Sequence, residues 1–147
     1  MKLLVDSCVF IASFDKRSQH RATAIQLFDE LAKRQIVITM PAHGWFEVQC
    51  TLQRLSSLDK SFSGPTIAGK MNYLLELLHI DKPFIQKYSM APIPYIKAAD
   101  HIFLAVAKLN NVPLITTDNK MLSIASQCGV NALPPADFLA KIDQLNL

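Results

Sequence analysis

Apolar residues along this chain fall into short unbroken runs and into longer stretches that repeat every three to four positions. Lys2-Leu3-Leu4-Val5-Asp6 predicts a short buried strand, and Ile36-Val37-Ile38-Thr39 a second. Between them Ala24, Leu27, Phe28 and Leu31 stand at i, i+3, i+4 and i+7, which predicts an amphipathic helix over 20–33, with 8–14 a helical or irregular continuation of the first strand. Pro41 suits the first turn of a helix whose apolar stripe runs through Val48, Leu52 and Leu55. The polar Gly- and Ser-containing segment 56–64 predicts a loop. Met71, Leu74, Leu75 and Leu78 repeat the helical spacing, and the proline-bearing segment 83–95 leaves room for a short strand at 84–88 followed by a loop. Asp100 opens a strongly apolar helix with Ile102, Phe103, Val106 and Leu109 on one face, ended by Asn110-Asn111. A strand at 112–116, a helix at 119–128 closed by Gly129, a short strand at 130–133 and a helix at 135–145 complete the pattern.

Strands alternating with helices predict an α/β fold, a central mostly parallel sheet with helices on both faces. The 147 residues suit a single domain over 1–147. With 50% hydrophobic and only 18% charged residues, a disordered chain is excluded, because such chains lack the apolar area to offset ordering entropy. Apolar runs end well short of the roughly 20 residues that cross a bilayer, and Asp6 stands where a signal peptide needs apolar residues, so a cytoplasmic setting is expected. Cys8, Cys50 and Cys128 are far apart and odd in number, which argues for buried free thiols and against a disulfide framework or a zinc site.

Four acids carry the chemistry. Asp6 ends the first strand, Glu47 borders the apolar stripe beside Val48, Asp100 opens a helix, and Asp118 follows Leu114-Ile115-Thr116-Thr117. Ligands in an open parallel sheet bind beyond the carboxyl ends of the strands, where Asp6 and Asp118 fall, and a helix N-terminus favours an ionised Asp100. Each has a plainer role: Asp6 and Asp118 as helix N-caps, Asp100 as a first-turn acid, Glu47 as a solvated helix residue. Clustered carboxylates repel one another, and a hard, oxygen-seeking cation, Mg²⁺ or Mn²⁺, removes that repulsion. Such a cage suits hydrolysis of a phosphodiester.

These residues also resemble a known family. Leu3-Leu4-Val5-Asp6-Ser7, His20 with Ala22 and Ala24, Glu47 on the helix after the second strand, Ala99-Asp100 opening Ile102-Phe103-Leu104-Ala105-Val106-Ala107, and Leu114-Ile115-Thr116-Thr117-Asp118 resemble the PIN-domain ribonucleases, from residue 2 to about 135 and most weakly over 56–97. The resemblance implies an acidic metal site of Asp6, Glu47, Asp100 and Asp118, with Ser7 and Thr116 as hydroxyl supports. Cys8 stands where many relatives carry a polar residue such as Asn. Small free-standing PIN domains are often VapC-type toxins of type II toxin–antitoxin pairs, which implies a divalent-metal-dependent endoribonuclease, an RNA substrate, a small antitoxin and a homodimer. Lys16, Arg17 and Arg21 are candidate RNA contacts in a chain of net charge +3.

A non-catalytic PIN-like module that binds RNA or protein would have little use for all four acids. Gly64-Pro65-Thr66-Ile67-Ala68-Gly69-Lys70 has the frame of a phosphate-binding loop, but Met71 replaces the hydroxyl residue that holds Mg²⁺. A haloacid-dehalogenase-like phosphatase would need an Asp where Cys8 stands. Trp45 and Phe46 could stack a base, although core packing is the expected use of such large rings.

Overall fold

The computed structural model describes residues 2–58 and 74–144. In chain order the elements are β1 (Lys2–Val5), α1 (Ser7–Phe14), α2 (Arg21–Lys33), β2 (Val37–Pro41), α3 (Ala42–Leu58), β3 (Leu75–Leu78), α4 (Lys82–Tyr88), α5 (Ala98–Asn110), β4 (Leu114–Ile115), α6 (Asn119–Cys128), β5 (Ala132–Leu133) and α7 (Pro135–Lys141). The five strands form one parallel sheet in the order β3-β2-β1-β4-β5.

Central β1 explains why the sequence reads as an unbroken apolar run. Leu3, Leu4 and Val5 point alternately to opposite faces, yet each is at most 1% exposed, so helices cover both sides. Leu4, Thr39 and Leu78 line a cavity of about 310 Å³ with Tyr88 of α4 and with Val106 and Asn110 of α5, which places these helices over one face. Helix α1 packs on α2 and α3, and α2 on α7. Ala24, Leu27 and Leu31 of α2 are fully buried, as their spacing predicts. Asn111 and Gly129, both left-handed, close α5 and α6.

The structure corrects several expectations. Leu75 and Leu78, read as part of a helical stripe with Leu74, belong to the edge strand β3, in register with Ile38 and Pro41 of β2; a leucine-dense run fits either period, and pairing with β2 decides. Met71 and the Gly64–Lys70 loop frame lie outside the described residues. The segment 84–88 is helical instead of a strand, because the Asp81 carboxylate accepts from the Phe84 N–H at 2.8 Å and Pro83 sits in the first turn. Helix α3 continues through Ser56, Ser57 and Leu58, expected in a loop, and the rest of that loop lies outside the described residues. Pro41 ends β2 and does not enter the helix, and α7 stops at Lys141. Cys50 is exposed, on the outer side of α3, instead of buried.

Gly44 of α3 lies tightly against Phe103 of α5. A Cβ built there would lie 2.6 Å from Cζ of Phe103, a ring that is 2% exposed and has little room to withdraw. Gly44→Ala is therefore expected to destabilise the fold by about 1–3 kcal/mol despite alanine's better helix propensity. Urea unfolding measures it, and a variant as stable as the native chain would contradict the tight approach.

Candidate functional site

The chain leaves β1 for strands on one side of the sheet and returns to β4 and β5 on the other, so the switch of direction lies between β1 and β4. Val5 pairs with Ile115, and the Asp6 N–H donates to the Ile115 carbonyl at 2.9 Å. That register sets Asp6 beside Thr116, two residues before Asp118. The two loops that follow adjacent parallel strands thus bring acids 112 residues apart in sequence to one edge.

Asp6 is 5% exposed and occupies the N-cap position of α1, yet its carboxylate makes no capping bond. It turns into the site, where Oδ2 accepts from the Thr116 hydroxyl at 2.7 Å and the Cys8 thiol at 3.0 Å. Ser7 stands 3.2 Å from Asp6 Oδ1 and 2.7 Å from Glu47 Oε2. One hydroxyl proton serves one acceptor at a time, and the shorter contact goes to Glu47, which ties α3 to the start of α1. Asp118 does cap its helix, accepting from the Met121 N–H through Oδ1 at 2.9 Å, while its own N–H donates to Thr116 Oγ1 at 3.0 Å. Capping uses one carboxylate oxygen and leaves the other for a ligand, so the plainer role and the functional one coexist here.

Asp100, in the first turn of α5, is half-buried. Burial raises its carboxyl above the ordinary range, and the charges of Asp118, Asp6 and Glu47 add to the rise, with Lys97 pulling the other way. The four acids therefore share one electrostatic neighbourhood. Asp6 is the buried floor, and the exposed Glu47 and Asp118 are the rim. Among the described residues no three Asp, Glu, His or Cys side chains stand together as a ready-made ligand cage.

Sequence reasoning gave Cys8 too small a part. Its Sγ donates to Asp6 and accepts from the Thr117 hydroxyl at 3.1 Å and, more weakly, from the Thr117 N–H at 3.4 Å. Burial and the adjacent Asp6 charge push the thiol up to about 12, so it remains a neutral donor at neutral pH. Its place two residues beyond Asp6 was the available signal. Thr117 and Lys97 were likewise not singled out. Of the candidate RNA contacts, Arg17 forks onto Asp15 at 3.0 and 3.2 Å, and Lys16 and Arg21 are exposed. Trp45 packs edge-on against Phe10 at 5.9 Å, whereas Phe46 is 71% exposed.

The sequence matches the PIN domain family over residues 3–127, and the chain belongs to that family. Solved structures agree on the fold. VapBC2 from Rickettsia felis, bound to a DNA fragment from their promoter, matches with a TM-score of 0.65 at 16% identity, over 91% of this chain and 98% of the other. FitAcB from Neisseria gonorrhoeae matches at 0.62 and 20% identity, over 92% and 99%. VapC20 from Mycobacterium tuberculosis, a sarcin-ricin loop cleaving toxin, matches at 0.58 and 12% identity, over 82% and 93%. Among curated proteins the sequence finds no match.

Asp100 supplies a test of the crowding. Its folded-state carboxyl holds a proton more tightly than the unfolded chain does, so its contribution to stability falls as pH rises from the unfolded carboxylate value through the raised folded one. Asp100→Asn removes that loss. In EDTA the variant should melt above the native chain at about pH 7, with the difference shrinking as pH is lowered toward about 4. A variant no more stable than the native chain at the higher pH would contradict the raised carboxyl, to which burial and then the neighbouring charges contribute.

Proposed function

We propose that this protein is a divalent-metal-dependent endoribonuclease, the toxin component of a toxin–antitoxin pair. The observation that carries the reading is the shared charge of Asp100, Asp118, Asp6 and Glu47 at the carboxyl edge of β1 and β4. The donors are carboxylate oxygens backed by hydroxyls, the set that Mg²⁺ or Mn²⁺ favours, and the repulsion raising Asp100 is what such a cation would relieve. Asp6, Asp100 and Asp118 would hold it, with Glu47 directly or through water. When bound, the cation neutralises a phosphodiester and makes water a stronger nucleophile.

The chain's own residues set the geometry for that chemistry. Thr116 fixes Asp6 by its hydroxyl at 2.7 Å, and Ser7 holds Glu47 at the same distance, so two acids are oriented before any ligand arrives. The rim acids open to solvent, as a polymer substrate requires. Membership of the PIN domain family and the likeness in fold to VapC20 and VapBC2 support the nuclease and toxin assignments. A small antitoxin is the partner this role implies, a homodimer the assembly and the cytoplasm the setting. No described helix is long and apolar enough to cross a membrane.

Cleavage of a mixed pool of structured and single-stranded RNAs tests the reading, comparing the native chain with Asp6→Asn in Mg²⁺ or Mn²⁺ and in EDTA. Cleavage should need both cation and Asp6, the variant losing on the order of a thousandfold in rate. Mn²⁺ should also raise the melting temperature of the native chain, because it binds the folded state. Full metal-dependent activity in Asp6→Asn would sink the assignment; neither cleavage nor metal binding would favour an interaction module.

A further inference from the structure

Asp100 stands in the first turn of α5, half-buried, where the charges of Asp118, Asp6 and Glu47 act on it. His43 lies in the first turn of α3, one helical turn before Glu47 and on the same side. Its Nε2 is 3.1 Å from the carbonyl oxygen of Ala99, the residue immediately before Asp100. A carbonyl only accepts, so Nε2 carries the proton and donates. The ring's other nitrogen, Nδ1, is buried with no hydrogen-bond partner among the described residues. The ring also packs on Phe103 with centroids 5.3 Å apart at 60°, and Phe103 is the ring that fits against Gly44.

We propose that His43 is a positioning residue for the acidic site, a clamp from α3 to the first turn of α5 that holds Asp100 within reach of Asp6, Asp118 and Glu47 against their repulsion. It touches no reacting group. A histidine whose second nitrogen is buried without a partner is not kept for stability, since a same-sized apolar ring would avoid the desolvation. What an apolar ring lacks is the N–H on Ala99. The bond joins the helix carrying Glu47 to the one carrying Asp100, so two acids move as one unit. The inference rests on the metal-site reading for its consequence, though the clamp itself is a property of the metal-free protein.

His43→Phe keeps the ring on Phe103 and removes the donor, whereas the side-chain amide of His43→Gln can donate to Ala99. Two readouts are taken on both variants and the native chain. In EDTA, hydrogen exchange of the first-turn amides of His101, Ile102 and Phe103 should quicken several-fold in His43→Phe, with the global melting temperature nearly unchanged, and return toward native in His43→Gln. By calorimetry Mn²⁺ affinity should fall on the order of tenfold in His43→Phe and recover in His43→Gln. Native exchange in His43→Phe, or a His43→Gln no better than His43→Phe, overturns the clamp. If the native chain takes up no Mn²⁺ while exchange responds as expected, the clamp stands and the metal reading falls.

Discussion

Parallel pairing of β1 with β4 is the interaction on which the rest depends. With Val5 set against Ile115, the next residue of each strand, Asp6 and Thr116, must face each other across the edge of the sheet. The hydroxyl-to-carboxylate bond of 2.7 Å follows from that register. A slip of one residue would exchange the faces of Leu4 and Val5, breaking the close packing of side chains that are now almost wholly buried, and would move Asp6 away from Thr116. The core therefore protects the site: the apolar matching that fixes the strands also fixes the acids, without either acid contributing to the core.

The price of the arrangement is charge crowding. Folding gathers carboxylates that water would keep apart, and the carboxyl of Asp100 is raised by its burial and then by the charges of Asp118, Asp6 and Glu47. Neutral donors offset part of it. Asp6 takes the Thr116 hydroxyl and a thiol held in its protonated form, and Glu47 takes the Ser7 hydroxyl, none of which brings a compensating positive charge. Lys97 is the cation that acts on Asp100, from the N-cap of α5. An acidic pocket left with a net negative charge and lined by oriented oxygens is suited to a cation and ill suited to an anionic polymer alone, which joins the metal and RNA parts of the proposed function.

Much of the fold was legible because local signals and burial agree in this chain. Strand β1, helix α2, the Asn111 and Gly129 stops and the span of α6 follow from apolar spacing and end signals. The errors cluster where those signals conflict. Leu74-Leu75-Glu76-Leu77-Leu78 satisfies helical spacing and still pairs as a strand, because β2 offers an unpaired edge that the local sequence cannot reveal. Prolines at 83 and beyond suggested broken, extended chain, whereas Asp81 and Pro83 together begin a helix.

The sequence by itself determined the alternation of strand and helix and the four acids, with Asp6, Asp100 and Asp118 at element ends and Glu47 beside an apolar stripe, since these depend on near neighbours along the chain. Only the tertiary structure decided which oxygen meets which donor. It showed that Asp6 forgoes capping to face Thr116, that Asp118 caps and still borders the site, that Cys8 is a neutral donor, and that His43 reaches Ala99. The Asp6–Thr116 and His43–Ala99 contacts join residues whose separation is set by strand register and by the packing of α3 against α5. Such distances come from the mutual fit of buried side chains across the whole core, which no local window of sequence contains.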